Sequence, residues 1–320
     1  MYTFATSVDQ AVGATGEYRA GGTDLQERLR ARTAGASLVD IFAIEGLDGI
    51  DFTGSGVTIG ALCKIAAIGA HERLQRDYPA LTLPAQTLAT PQTRYMATVG
   101  GVLCQRTRCT YYRHPELGCP KKGNTATCPS REGDHHFGVC FDFGPCVYPH
   151  PSSIACALLT YDATVQINAD QSVSVAELVG DGRDVRRDHT LQPGQMITAI
   201  ELPPATQGEK AAYVRQMSRA WAEWPAVEVV VRLIMDGTRI REARVGIGGV
   251  ANIPFRLTEV EEMLADVDAT DETLAAAAKV STARCKPLPN TRYKVPMVAA
   301  CVLEALEQAV INENGGRLAL

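Results

Sequence analysis

Cysteines are concentrated in one polar, glycine- and proline-rich stretch, Cys104 to Cys156, which holds seven of the ten cysteines of the chain. Four of them follow the spacing C-x9-C-x8-C-x17-C: Cys109, Cys119, Cys128 and Cys146. Cys140 lies between the last two. Four thiolates that converge from irregular backbone can hold an iron–sulfur cluster or a structural zinc ion. Disulfide bonds are the alternative, because an even number of cysteines often forms a covalent framework in small secreted proteins.

Length and composition favour metal ligands over disulfides. The chain has 320 residues, of which 46% are hydrophobic, enough to build the cores of two domains without covalent staples. The first ten residues, MYTFATSVDQ, lack the basic and apolar regions of an export signal. No window approaches the roughly 18 apolar residues of a membrane span. These features predict a cytoplasmic protein with reduced thiols and no membrane span.

Charge gives a further constraint on partners. The net charge of -5 and the isoelectric point near 5.7 argue against a nucleic-acid partner, which favours a basic surface. The run RTRCTYYRH at residues 106–114, with Lys121 and Lys122 after it, is locally basic and aromatic. This run is expected to be a solvated loop face, or else a docking site for an acidic electron-transfer protein.

Two glycine pairs carry the second chemical signal. A short strand at residues 18–20 is followed by Gly21-Gly22-Thr23-Asp24-Leu25 and then by the helical run QERLRAR. Glycines let backbone N–H groups approach an anion closely, so this order suits a phosphate, although a lone GGTD also occurs in ordinary tight turns. The absence of GxGxxG disfavours a Rossmann site. A second pair, Gly100-Gly101, follows Thr98, and two such loops can contact a pyrophosphate from two sides.

The remaining patterns indicate a mixed fold. Residues 57–62, VTIGAL, alternate as in a strand, and residues 64–81, KIAAIGAHERLQRDYPAL, predict one helix. From residue 212 onward, strands precede helices, which predicts an α+β domain.

Five segments together resemble a known family. They are AGGTDL, VTIGALCKIA, ATVGG, LLTYDATVQI and ARVGIGGVANIPFR, and they occur in this order over nearly the whole chain. The combination resembles the FAD-binding medium subunits of the molybdenum hydroxylase family, which includes xanthine dehydrogenase and carbon monoxide dehydrogenase. The resemblance implies an α+β chain with a two-part FAD-binding domain of the molybdenum hydroxylase/vanillyl-alcohol-oxidase-like type. That domain would span residues 1–180, with subdomains at about 1–54 and 55–180, and a C-terminal α+β flavoprotein domain would span residues 181–320.

The same resemblance assigns the FAD contacts. By position they are Ala20, Gly21, Gly22, Thr23, Asp24, Leu25, Thr98, Gly100, Gly101, Gln105, Ile197 and Arg215. Ile197 would pack on the isoalloxazine ring, and Arg215 would lie near its pyrimidine edge, where a cation stabilises a reduced flavin. No catalytic residue is assigned to this chain.

The cysteine-rich insertion, residues 105–147, is unusual within the family. It resembles the insertion in the beta subunit of 4-hydroxybenzoyl-CoA reductase, which holds a [4Fe-4S] cluster. The resemblance places the ligands at Cys109, Cys119, Cys128 and Cys146, the last chosen over Cys140 by its spacing to the following ALL-x-x-DA segment. The insertion is expected to be an appendage to the FAD-binding domain.

The implied function is electron transfer. The chain would relay electrons between a ferredoxin-like carrier, the [4Fe-4S] cluster and FAD, and onward to a [2Fe-2S] small subunit and a molybdopterin-containing large subunit. The implied complex is a dimer of heterotrimers, with 4-hydroxybenzoyl-CoA reductase in aromatic degradation as the nearest match. The alternatives are an ordinary xanthine, aldehyde or CO dehydrogenase-type FAD subunit that passes electrons to NAD or oxygen, and a zinc-stapled interaction module.

Overall fold

The computed structural model describes residues 1–168 and 170–311. In chain order, the strands are β1 (Tyr2–Phe4), β2 (Glu17–Arg19), β3 (Leu38–Asp40), β4 (Ile50–Thr53), β5 (Gly56–Gly60), β6 (Thr164–Ile167), β7 (Gln171–Ser174), β8 (Ile197–Leu202), β9 (Glu209–Gln216), β10 (Val227–Asp236), β11 (Arg239–Gly248), β12 (Phe255–Arg256) and β13 (Val267–Asp268). They form three sheets.

Most of the helices are short. They are α1 (Val8–Gly13), α2 (Leu25–Arg30), α3 (Ile65–Ala70), α4 (Glu72–Asp77), α5 (Pro79–Thr87), α6 (Pro91–Met96), α7 (Val99–Leu103), α8 (Thr110–Arg113), α9 (Ser153–Leu159), α10 (Val175–Val179), α11 (Thr258–Met263), α12 (Asp271–Val280) and α13 (Lys294–Ile311). Three single 3-10 turns lie at Pro120–Lys122, Pro129–Arg131 and Pro289–Thr291. None of the helices in the described residues combines the length and the apolar composition that crossing a membrane requires.

The first sheet positions the first glycine loop. Its order is β1-β3-β2, and both pairings are parallel. Parallel strands need crossover connections, which α1 and α2 provide. A small core that contains Ala5, Ala11 and Val39 fills the space beneath them. The Gly21-Gly22 loop therefore leaves the carboxyl end of β2 and leads directly into α2.

The second sheet is antiparallel, in the order β4-β5-β8-β6-β7. The predicted strand at VTIGAL is confirmed as β5. The central strand β8 aligns Ile200 with Ile59 on one side and with Val165 on the other. This sheet is thus completed by residues 197–202, which lie beyond the boundary at residue 180 expected from the sequence.

The single helix predicted for residues 64–81 is wrong, because the structure has three helices there. His71 adopts an extended backbone, and its Nδ1 accepts a hydrogen bond from Leu74 N at 3.3 Å, so His71 caps α4. Pro79 then begins α5, since proline suits the first turn of a helix and disrupts an interior one. The apolar residues keep a 3.6-residue period across both breaks, so their pattern did not reveal where one helix ends and the next begins.

The third sheet belongs to the C-terminal domain. Its order is β12-β11-β10-β9, with β13 paired to β11, and all pairings are antiparallel. Helices α11, α12 and α13 cover it, and their apolar faces share one core with the strands. The predicted sequence of strands followed by helices is confirmed.

The expectation that the cysteine-rich insertion is an appendage is wrong. Its second half is part of the C-terminal core, where Cys140 and Phe141 are fully buried. The backbone N–H groups of both residues donate to Val250 O, at 2.8 and 3.0 Å, and Cys140 O accepts from Lys286 N at 2.8 Å. The insertion therefore ties the FAD-binding and C-terminal domains together.

This packing predicts the effect of Phe141→Ala. The ring of Phe141 lies against those of Phe255 and Phe143, with centroids 5.0 and 6.0 Å away. Its truncation should destabilise the C-terminal domain by about 3–5 kcal/mol, because it leaves a cavity in a closed core. Chemical denaturation followed by circular dichroism measures this change. The matched control is Phe137→Ala, whose ring is 48% exposed, and equal unfolding midpoints for the two variants would contradict burial of the insertion.

Candidate cofactor site

The two glycine loops meet at one cavity of about 530 Å³. Eleven of the twelve residues assigned to FAD by resemblance line it: Ala20, Gly21, Gly22, Thr23, Asp24, Leu25, Thr98, Gly100, Gly101, Gln105 and Ile197. The first loop follows β2, the second begins α7, and Ile197 begins β8. A volume in this range is typical of small-molecule and cofactor sites.

The first loop offers backbone donors. The N–H groups of Gly21, Gly22, Thr23 and Asp24 make no hydrogen bond to any part of the chain that the structure describes. A Cβ atom at Gly21 would lie 1.9 Å from Met96 O, so the two loops can approach this closely only with glycine there. Gly22 has φ +72, a conformation that glycine adopts without strain. Four unpaired N–H groups at the wall of a cavity form an anion site.

The second loop contributes shape more than free donors. Thr98 is buried, and its Oγ1 accepts from Gly101 N at 3.2 Å. Gly100 N donates to Ala61 O at 2.9 Å, and a Cβ at Gly100 would lie 2.9 Å from Ala61 Cβ. Glycine at this position lets α7 pack directly against the end of β5.

Arg215 lines an adjoining cavity of about 230 Å³. Thr23, Asp24, Gly101 and Gln105 are shared by the two cavities, so they form one extended site. The Arg215 guanidinium is buried, with Nη1 donating to Thr87 O at 2.9 Å and Nη2 to Glu223 O at 2.6 Å. Its Nε has no hydrogen-bond partner among the residues that the structure describes. Buried polar atoms normally have a partner, so this donor is available to a ligand.

Asp24 joins the first glycine loop to the cysteine-rich insertion. Its carboxylate accepts from Arg28 Nε at 2.8 Å and from Arg113 Nη2 at 2.6 Å, and it also accepts from the backbone of Arg106 at 3.3 Å. Burial raises the pKa of Asp24, but Arg113 and Arg28 outweigh this effect and hold the pKa below its usual range. The carboxylate is therefore charged and fixes the insertion against the loop.

The four predicted cysteine ligands are neighbours in space. Cys109 and Cys119 pack in one small cluster with Tyr112. Cys119 and Cys146 lie close enough to act electrostatically on Cys109, and Cys128 acts in the same way on Cys119 and on Cys146, so we call these four thiols the thiol ring. Burial raises the pKa of Cys109 to about 12 and that of Cys146 to about 11. Such thiols are poor nucleophiles unless a metal displaces their protons.

Cys140 lies apart from this ring. It shares a hydrogen bond with Cys285, which together with burial raises the pKa of the Cys140 thiol, and it packs in the C-terminal core. All ten cysteines are free thiols. Among residues 1–168 and 170–311, no three His, Cys, Asp or Glu side chains have the arrangement that a single metal ion needs.

The solvated loop face expected for the basic run of the insertion is wrong for Arg108, Arg113 and Lys121, and the alternative, docking of an acidic protein, stays a prediction. Arg108 and Arg113 turn inward to Asp24, and the Lys121 side chain is 3% exposed. Lys121 Nζ lies 2.9 Å from the buried carboxylate of Asp188, which also binds Arg106 Nε at 2.6 Å. Sequence reasoning missed Asp188, because its local surroundings, RDVRRDH, read as a surface loop.

Comparisons with known proteins agree with this geometry. The family model of the FAD binding domain in molybdopterin dehydrogenase matches residues 2–205. The model of the CO dehydrogenase flavoprotein C-terminal domain matches residues 212–309. Together the two models cover nearly the whole chain.

Two curated relatives have similar lengths. The aldehyde oxidoreductase FAD-binding subunit PaoB of Escherichia coli is 32% identical, over 95% of this chain and 94% of its own. The carbon monoxide dehydrogenase medium chain of Afipia carboxidovorans is 25% identical, over 91% of this chain and 87% of its own.

Solved structures show the same fold. A cyanide-inactivated Cu,Mo-CO dehydrogenase has a chain with TM-score 0.75 at 22% identity, covering 97% of this chain and 96% of that one. Quinoline 2-oxidoreductase from Pseudomonas putida 86 gives the same TM-score at 17% identity and the same coverage. From the two family models and the relative at 32% identity, we conclude that this chain belongs to the FAD-binding medium subunits of the molybdenum hydroxylase family, which are components of multi-subunit oxidoreductases.

Proposed function

We propose that this chain is an electron-transfer subunit that binds FAD at the extended cavity and a [4Fe-4S] cluster at Cys109, Cys119, Cys128 and Cys146. The observation that carries the proposal is the ring of four neighbouring thiols, three of them buried, in an insertion held against the first glycine loop through Asp24. FAD exchanges electrons in pairs or singly and a cluster exchanges them singly, so the two together suit a relay.

The residues of the extended cavity fit FAD. The unpaired N–H groups of residues 21–24 suit a pyrophosphate, and the free Nε of Arg215 suits an oxygen or nitrogen acceptor at the far end. Trp224 and Gln105 also line the smaller cavity, where they can contact a planar ring. Ile197 closes the larger cavity with an apolar surface.

The arrangement of the four thiols argues against a single zinc ion. A zinc ion draws four sulfurs to about 2.3 Å from one centre, and the described residues hold no such group. In a cluster each cysteine binds a different iron, so the four thiols surround a larger volume. Burial of Cys109, Cys119 and Cys146 also protects such a group from solvent.

Partners follow from family membership. We propose a [2Fe-2S] small subunit, a molybdopterin-containing large subunit and a ferredoxin-like external carrier. The relative at 32% identity, named an aldehyde oxidoreductase subunit, favours an aldehyde as the substrate of the complex. The cysteine-rich insertion favours a second candidate, the reductive dehydroxylation of a hydroxybenzoyl-CoA substrate. The large subunit, not this chain, would select between them.

The cavity assignment predicts the effect of Gly21→Ala. The added Cβ would collide with Met96 O and push the two glycine loops apart, at a cost of about 1–3 kcal/mol. FAD affinity should fall by about tenfold or more. Flavin absorbance per protein after desalting measures this loss. Gly54→Ala is the matched control, because a Cβ there meets nothing within 4 Å, and normal flavin content in the Gly21 variant would refute the site.

The ligand assignment predicts different effects for two cysteines. Cys146→Ala should remove about four irons per flavin from the anaerobically purified complex, since one ligand of the cluster is lost. Cys140→Ala should retain them, because Cys140 lies in the C-terminal core. Both variant complexes are analysed for iron, acid-labile sulfide and flavin. The iron of the other subunits is the same in both, so the difference in iron per flavin reports the cluster of this chain. Loss of iron in the Cys140 variant alone would reverse the assignment.

The substrate proposal predicts which compound reduces the complex. Under anaerobic conditions, an aldehyde should bleach the flavin absorbance of the complex purified with its partners. If aldehydes fail, and reduced complex is instead reoxidised by a hydroxybenzoyl-CoA, the second candidate is correct. A reduced complex that is reoxidised directly by NAD would instead indicate an ordinary dehydrogenase subunit.

A further inference from the structure

A third cavity, of about 240 Å³, lies where the insertion meets the C-terminal domain. Its apolar wall consists of aromatic and proline side chains: Phe137, Tyr148, Pro149, Pro151, Trp224 and Pro225. Phe137, Tyr148 and Lys294 line neither of the two cavities assigned to FAD, although Trp224 is shared with the smaller one. The volume lies below the range of about 300–1,000 Å³ that is usual for drug-sized ligands, so the third cavity suits a molecule with a single ring.

Lys294 places a buried cation at this wall. The residue begins α13 and is 1% exposed. Its Nζ donates to Gly249 O at 2.8 Å and to Phe137 O at 3.4 Å, and both acceptors are uncharged backbone carbonyls. An ammonium group has three donors, and the third has no acceptor among the residues that the structure describes. Because buried donors normally have a partner, this one can serve a ligand.

The charge of Lys294 is also uncompensated. Burial lowers the pKa of Lys294 to about 8, so the ammonium group is still largely charged at neutral pH. No carboxylate in residues 1–168 and 170–311 pairs with it. A buried charge without a partner is costly, so a negatively charged ligand would supply the counter-charge that these residues do not.

Two carboxylates line the third cavity as well, but both have other partners. Glu228 accepts from Tyr213 Oη at 2.6 Å, and burial raises the pKa of Glu228, which favours its uncharged form. Glu223 accepts from Arg219 N at 3.1 Å. Arg219 and Arg108 also line the cavity and add positive charge to Lys294. The lining therefore favours an anion over a cation.

We propose that the third cavity binds a small aromatic carboxylate, with its carboxylate group on Lys294 Nζ and its ring against Phe137 and Tyr148. A dinucleotide is excluded, because the third cavity has less than half the volume of the cavity assigned to FAD. The inference depends neither on the proposed cluster nor on FAD. A ligand held in this way would join the insertion, through Phe137, to α13, through Lys294.

The test is photolabelling of the purified complex with 4-azidobenzoate, followed by peptide mass spectrometry. Label is expected on peptides that contain Phe137 or Tyr148, and benzoate should compete with it. Benzyl alcohol and acetate should compete at least about tenfold more weakly, because one lacks the charge and the other the ring. Lys294→Met should reduce labelling of these peptides by about tenfold at a low probe concentration, since the charged donor is lost. The control is Lys279→Met, which removes an exposed ammonium group on α12 and should leave labelling unchanged.

Peptide mapping separates the third cavity from a carboxylate site in any other subunit, and circular dichroism and flavin content show whether each variant folds. Absence of label from these peptides, or equal labelling of wild type and folded Lys294→Met, would overturn the inference. Competition by benzyl alcohol or acetate that is as strong as competition by benzoate would also overturn it. If Lys294→Met does not fold, the competition series with the wild type decides: selectivity for benzoate supports the inference, and lack of selectivity overturns it.

Discussion

The buried carboxylate of Asp24 is the interaction on which the rest of the site depends. A buried charge is costly unless it is paired, and Asp24 receives donors from its own helix through Arg28 and from the insertion through Arg113. Removing one of these partners weakens the compensation of a buried charge at the wall of the cavity. The insertion is thus held against the glycine loop by electrostatics, where it has few apolar side chains to bury.

A second buried carboxylate, Asp188, also holds the insertion in place through ion pairs. It binds Arg106, which precedes Cys109, and Lys121, which follows Cys119. Together with the burial of Phe141 in the C-terminal core, these contacts fix the insertion at three places. The proposed relay would need its two centres at a constant separation, which a segment anchored to both domains provides and a flexible loop would not.

Local motifs could be predicted from the sequence, and long-range contacts could not. The glycine loops were predictable because an anion site needs several glycines within a few residues. The four cysteines were predictable as spatial neighbours because they recur within one segment, and their role as ligands stays a prediction. Asp24 was assigned to the cofactor and lines the cavity, but its contacts with Arg106 and Arg113, 82 and 89 residues away, could not be foreseen. Such pairs leave no periodicity or spacing in the sequence. The three-helix break at His71 was missed for a related reason, because a histidine cap is a weaker signal than an apolar pattern.

The choice between Cys140 and Cys146 also depends on long-range contacts that the sequence does not reveal. Spacing alone places both cysteines within reach of the other three proposed ligands, because a chain of irregular backbone has no fixed rise per residue. What separates them is that Val139, Cys140 and Phe141 are fully buried and their backbone is bonded to Val250 and Thr291. Because its backbone is held on both sides by the C-terminal core, Cys140 is the less favourable choice in the proposed ligand set. Cys146 follows the Asp142–Arg131 pair and Gly144, where the chain leaves that core and returns to the thiol ring.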